Sequence, residues 1–271
     1  MAASNSLHHQ LGFLFVRIYY WFYIKYMQWS QWVFQPTGKA YQKFEQKLVI
    51  FGDDHALGLG DKMSLGGLPG LADRLSFKLR NDQHIRQFWH VFNFGKFKAN
   101  TEDWLPSSST TIAGHKNYFD NILVNDKRLE GFKLAVLLLG SNDEKLARLN
   151  PQKSLENIKT IVNKLNEMDV TVIVMTVPTT DPTEDEGQSY NDRLNAQLKA
   201  YIEEEKNPKL ILGVEIDALN FEYDRVDLYH WDRLHFNEKG FDKMFKDLWD
   251  IVKPEMVKVE FKTFQNVLYK N

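Results

Sequence analysis

The pattern of apolar and polar positions divides this chain into two unlike parts. Residues 11–34 read LGFLFVRIYYWFYIKYMQWSQWVF, and eleven of these 24 are Phe, Tyr or Trp. The run predicts one helix, about 36 Å long at about 1.5 Å per residue. On a helical wheel Arg17, Lys25, Gln28, Gln31 and Gln35 fall on one side, and the remainder is aromatic or aliphatic. Pro36, Thr37 and Gly38 end the run.

From Lys47 onward short apolar runs alternate with amphipathic ones. KLVIFG (47–52), IRQFWHVFNFG (85–95), FKLAVLLLG (132–140), VTVIVMTVP (170–178) and KLILGVEIDA (209–218) read as strands. Helices are predicted over 66–81, 115–129, 154–168, 190–206 and 237–252, the clearest being 154–168, where Leu155, Ile158, Ile161, Val162 and Leu165 share a face. Strands this uniformly apolar are buried on both sides. Alternation with helices therefore predicts a five-stranded parallel sheet covered on both faces, a doubly wound α/β fold of flavodoxin-like type. VKVEFKTF (257–264) alternates like an exposed strand or extended arm. The expected organisation is an N-terminal helix and linker (1–46), an α/β domain (47–254) and a C-terminal extended arm (255–271). The acidic run DPTEDEG (181–187) reads as a solvated loop.

Charge sharpens this division. Residues 1–44 carry Arg17, Lys25, Lys39 and Lys43 and no acid, a charge of +4, which leaves −6 for the rest of a chain whose net charge is −2. The overall balance gives no general attraction to nucleic acid. The aromatic N-terminal run with two interspersed cations suits a membrane interface, where Trp and Tyr bury a ring and keep a polar tip wet. Arg17, Trp21, Lys25, Trp29 and Trp32 are its candidate membrane or partner contacts. Three arrangements are open: the helix lies in the interface, it crosses the bilayer with its polar stripe on partner helices, or it packs on the protein's own core. The start MAASNSLHHQ has no Lys or Arg, unlike a secretory signal, and the lack of acid resembles a mitochondrial presequence weakly. A mitochondrial inner-membrane location is the expectation, with the endoplasmic reticulum as the alternative.

There is no cysteine, so disulfides, thiolate catalysis and Cys-based zinc sites are excluded. The chemistry-bearing residues cluster where an α/β sheet places ligands, beyond the carboxyl ends of strands. Gly52-Asp53-Asp54-His55 follows the first strand, Asn93 to Thr101 the second, Gly140-Ser141-Asn142-Asp143 the third, and Asp232-Arg233-Leu234-His235 precedes the last helix.

These four blocks, in this order over residues 47–254, resemble the SGNH or GDSL hydrolase family. The resemblance implies that family's fold, and a site in which a Gly-Asp-Ser serine attacks an ester. A glycine N–H and the Asn142 side chain would form the oxyanion hole, and Asp232 and His235 would be the orienting acid and the base. Two blocks depart from the pattern. Asp54 stands where the serine belongs, and the next serine, Ser64, lies ten residues on. In the second block Gly95 matches the earlier glycine, while the donor position maps to Lys98 or Ala99 with an apparent one-residue insertion.

A carboxylate is a poor nucleophile toward an ester, because forming the mixed anhydride means expelling an alkoxide, and the tetrahedral adduct instead collapses backward to expel the carboxylate, the better leaving group. The expectation for Asp54 is structural: an anion at a helix start, facing His235 and within reach of Lys98, holding the old site shut. His235 between Asp54 and Asp232 should then be charged, and a charged His accepts no proton. Bland alternatives are turn and capping roles for Asn142 and Asp143, and a structural pair for Asp232 and His235. Asp53, Asp54, His55 and His235 are metal ligands by type but lack a recognised spacing, so no metal and no cofactor is expected. The functional expectation is a catalytically inactive, SGNH-like accessory subunit of a membrane complex, such as the respiratory chain or ATP synthase. The alternatives are a membrane-associated esterase or lipase, and a pocket that holds a lipid or acyl group without cleaving it.

Overall fold

The computed structural model describes residues 2–36, 44–63, 67–106, 116–178, 189–216 and 226–269. The acidic run 181–187, together with Thr37, Gly38 and Ser64, lies outside them.

The apolar runs form one parallel sheet of β1 (Glu45–Gly52), β2 (Phe88–Gly95), β3 (Leu134–Leu138), β4 (Thr171–Val174) and β5 (Leu210–Leu212), in the order β2-β1-β3-β4-β5. Side chains alternate across the pleat. Leu48, Ile50, Leu134, Val136 and Leu138 point to a core shared with α3 (Leu71–Asn81) and α6 (Glu238–Tyr269). Val49, Phe51, Ala135 and Leu137 point to a second core under α4 (Pro151–Glu167) and α5 (Tyr190–Glu205). The predicted doubly wound architecture is the one observed. The fourth and fifth strands end earlier than the sequence suggests.

Two expectations fail, each for a local reason. Residues 115–129 do not form one helix. A π-helical turn, Phe119–Val124, is followed by a 3-10 turn, Lys127–Leu129. Asp126 interrupts them by accepting from the Arg128 N–H, a side chain competing with helix bonding. The expected extended arm at 255–271 is also wrong, because α6 continues as a helix through Tyr269 and passes Pro254. Val257, Val259 and Phe261 alternate like a strand, but Val252, Met256 and Glu260 recur every four residues and are buried. The Glu260 carboxylate accepts from the N–H groups of Arg86 (3.1 Å) and Gln87 (3.0 Å) and from Trp89 Nε1 (2.9 Å), tying α6 to the start of β2.

The N-terminal run is one helix, α1 (Ala2–Val33). It docks along one face: Tyr23, Met27, Ser30 and Gln31 are buried. Tyr23 and Met27 pack on Leu59, just beyond the single-turn helix α2 (Asp54–Leu57). The Tyr23 hydroxyl donates to Asp61 O at 2.7 Å and accepts from Gly60 N at 2.8 Å. Gln31 Nε2 donates to Gly95 O (2.7 Å) and to Asn93 Oδ1 (3.1 Å), while Gln35 accepts from Asn93 N and donates to Asn93 O. These amides cover the free edge of β2, where an open sheet otherwise leaves backbone groups unpaired. The polar stripe is therefore divided: Gln31 and Gln35 face the sheet, while Arg17 and Lys25 are exposed. Leu14 to Tyr19 are exposed on all sides, so this part of α1 overhangs the domain. Among the described residues no helix is long and apolar enough to cross a membrane.

Candidate functional site

The ends of β1, β2 and β3 bring the predicted blocks together. After β1 the chain turns at Gly52, whose φ of 143° leaves no room for a side chain: an added Cβ would lie 1.8 Å from Leu138 O. Asp53 then caps α2 by accepting from His55 N (3.0 Å). Its other oxygen accepts from Ser141 Oγ (2.7 Å) and Ser141 N (3.2 Å), fastening the first block to the third. Burial and the neighbouring Asp54 charge push the Asp53 carboxyl up to about 7, against these hydrogen bonds. The second and third blocks are joined similarly. Thr101 donates to the buried Asp143 from its N–H (2.9 Å) and its hydroxyl (2.5 Å).

Asp54 opens α2, and its carboxylate is held between two donors. Lys98 N–H meets Oδ1 at 2.6 Å and Asn142 Nδ2 meets Oδ2 at 2.9 Å. Asn142 Nδ2 also donates to Ala99 O at 3.0 Å. The expectation placed Lys98 or Ala99 at the donor position, and the Lys98 backbone supplies the bond. The Lys98 ammonium instead lies over the Phe97 ring, 5.3 Å from its centroid. Lys98 has a φ of 60°, a conformation that glycine adopts at least cost. Gly95 N–H donates instead to Asn93 Oδ1 at 3.0 Å. A Cβ there would meet Leu57 N at 1.9 Å, so this glycine lets α2 approach β2.

His235 and Asp232 complete the constellation from the loop before α6. His235 Nδ1 lies 2.8 Å from Asp232 Oδ2, and Asp232 Oδ1 accepts from the N–H groups of Leu234 and His235, both at 3.0 Å. His235 Nε2 is 3.9 Å from Asp54 Oδ2, an ion-pair distance beyond hydrogen-bond reach. Burial works against a charged His235, but Asp232 and Asp54 outweigh it and raise the imidazole to about 9. Burial likewise opposes ionisation of both acids, yet His235 holds Asp232 and Asp54 below the usual carboxylate range, with Asn142 and Lys98 N–H adding to the effect at Asp54. At neutral pH the site is thus carboxylate, imidazolium, carboxylate.

Tyr20 was not legible in the sequence as a participant, and His55 was read there only as a ligand by type. Tyr20 reaches in from α1 and donates to Asp232 Oδ2 at 3.3 Å, with His235 Nδ1 at 3.4 Å. Nothing local marks it among so many aromatics, because its partner is 212 residues away. His55 is buried with its ring 5.3 Å from that of His235, and its Nδ1 has no partner. Burial, then the His235 charge, pushes it down to about 3, so it is neutral. Among the described residues no group of three or more His, Asp or Glu side chains is placed to hold a metal. The candidate membrane contacts Arg17, Trp21, Lys25, Trp29 and Trp32 lie apart from this site and are all exposed. A cleft of about 300 Å³ opens over the constellation, lined also by Phe97, Lys145, Leu146, Trp231 and Leu234.

Solved structures share this architecture. Psychrotrophic esterase EstA from Pseudoalteromonas sp. superposes with a TM-score of 0.55 at 18% identity, over 78% of this chain and 98% of that one. A lipase/acylhydrolase from Enterococcus faecalis gives 0.55 at 21% identity, over 78% and 96%. An acetyl-xylooligosaccharide esterase from Geobacillus gives 0.57 at 16% identity, over 77% and 95%. At these identities the likeness concerns the fold. No curated protein matches the sequence. Residues 50–243, from the middle of β1 into α6, match the model of the GDSL-like lipase/acylhydrolase family, and by that match the chain belongs to this family, with an aspartate where its resemblance led us to expect a serine.

Proposed function

We propose that this chain is a non-hydrolytic member of the family and serves as a structural subunit of a membrane-bound complex. One observation carries the first half. The donors that would receive a developing oxyanion, Lys98 N–H and Asn142 Nδ2, are already engaged by the Asp54 carboxylate. An oxyanion hole accelerates acyl transfer because its donors await negative charge on the substrate. Here a permanent charge of the protein occupies them. The base is disabled as well, since Asp232 and then Asp54 favour the imidazolium of His235, which cannot take a proton.

The outward surface of α1 supports the second half. Phe15, Ile18, Trp21, Phe22, Trp29 and Trp32 are exposed, with Trp32 at 77%, and only Arg17 and Lys25 interrupt them. An aromatic surface of this extent marks a contact with protein or membrane. The mitochondrial inner membrane is the placement to test first. Native mass of the detergent-extracted protein, with its co-migrating chains identified, tests the subunit reading. Stoichiometric co-migration in a large assembly is expected, and a lone monomer overturns it.

The second reading is a membrane-associated ester hydrolase with a non-standard site. The open cleft and the intact His235–Asp232 pair favour it. Turnover of an activated short-chain ester that disappears in His235→Ala would establish it over the first.

A further inference from the structure

The overhanging part of α1 builds something that the family-matched residues 50–243 do not contain. Phe15, Val16 and Tyr19 from α1 and Trp231 from the loop before His235 line an apolar recess of about 360 Å³. Tyr20 and Trp231 line the neighbouring cleft, their rings meeting edge-on with centroids 5.8 Å apart. Recess and cleft thus share Trp231 as a common wall. The rim of the cleft carries two cations, Lys98 and Lys145. Both are exposed, and among the described residues neither ammonium makes a hydrogen bond or ion pair, that of Lys98 lying only over the Phe97 ring. Deeper in the cleft, Asp54 and Asp232 are balanced in part by His235. Counting these five side chains, the cleft has one net positive charge, and its spare cations sit at the rim.

From this juxtaposition we infer that cleft and recess together form a binding site for a long-chain carboxylate, an anionic amphiphile with one acyl chain. Lys98 and Lys145 take the head, and Trp231, Val16, Phe15 and Tyr19 take the chain. The head does not enter the oxyanion hole, which Asp54 fills. The tail subsite depends on α1, so it belongs to this chain rather than to the family domain. Opposite charge at the rim supplies orientation, and apolar burial supplies most of the affinity. The inference rests on the reading that the cleft does not turn over esters.

The test titrates dodecanoate into the full chain, followed by tryptophan fluorescence and calorimetry. Acetate serves as a head without a chain and dodecyl maltoside as a chain without charge. Saturable binding of dodecanoate is expected, with no binding of acetate and about tenfold weaker binding of the maltoside. Lys98→Gln combined with Lys145→Gln should weaken dodecanoate about fivefold and remove its salt dependence. Val16→Asn and Trp231→Ala should each weaken it about tenfold. All four residues are exposed, and an unchanged melting temperature verifies that the variants fold. Equal affinity for dodecanoate and maltoside, or indifference to Val16→Asn and Trp231→Ala, overturns the site. The same samples are assayed with a dodecanoyl ester. Turnover together with binding sinks the non-hydrolytic reading and keeps the site; neither binding nor turnover sinks the site and keeps that reading.

Discussion

Asp54 is one residue with two consequences. Its carboxylate engages Lys98 N–H and Asn142 Nδ2, which the proposed reading takes as the donors of the hole, and it joins Asp232 in favouring the charged form of His235. Replacing it with the residue the family resemblance implies should reverse both. In Asp54→Ser the hole is freed and the imidazole loses one of its two anionic neighbours. Hydrolysis of an activated ester should rise about a hundredfold over wild type and vanish again in Asp54→Ser/His235→Ala. Steady-state assays of the three proteins check this. The ion pairs also predict a pH dependence. His235 is raised from 6.5 to about 9 in the fold, so its stabilising contribution is complete below pH 6.5 and is lost as pH rises toward 9. A shift of this size corresponds to about 3 kcal/mol. Urea midpoints should fall between pH 6.5 and 9 in wild type, and the fall should shrink in Asp232→Asn. An unchanged slope in that variant would mean that other groups govern the titration.

At the level of elements, α1 and the edge strand β2 depend on each other. Gln31 and Gln35 satisfy backbone groups of Asn93 and Gly95 that no neighbouring strand pairs. Removing such a partner leaves buried polar groups unmet, at about 1–3 kcal/mol each. Gln31→Ala should therefore lower stability by that amount, and Gln35→Ala should speed hydrogen exchange at the Asn93 amide. Gln28→Ala, on the same predicted stripe, has no such bond among the described residues and should stay within about 0.5 kcal/mol. Gly95 acts at the neighbouring contact. Gly95→Ala forces its Cβ against the Leu57 backbone, where α2 lies closest to β2. A loss of about 3 kcal/mol is expected, measured by chemical denaturation. The site would suffer with the fold, because α2 carries Asp54.

For the whole molecule, the exposed aromatic side chains of α1 form a ridge beside the α/β domain. Trp21 and Trp32 on that ridge are exposed, so Trp21→Ser/Trp32→Ser should leave the melting temperature of the isolated chain nearly unchanged. On the proposed reading as a subunit of a membrane complex, the same variant should dissociate from the assembly or from lipid, detected as a shift to lower native mass. Retention at the wild-type mass would place the attachment elsewhere.

Much of this protein was written in local pattern. Near-continuous apolar runs determined the five strands. Heptad-like spacing determined α4, and the four blocks with their separations determined where Asp54, Asn142, Asp232 and His235 converge. Local pattern misled at Val257 to Phe261, where alternation imitates a strand and only the buried Met256 and Glu260 reveal a helix. Other features were decided by tertiary structure alone. The pairing of Tyr20 with Asp232 and of Gln31 with Gly95 joins residues far apart in sequence, and no periodicity encodes such contacts. The same holds for the donor at Lys98: a backbone N–H has no letter in the sequence. Its value depends on a left-handed turn that only the packed loop imposes. The sequence thus named an aspartate at position 54, but its seat between Lys98 N–H and Asn142 Nδ2 came from the fold.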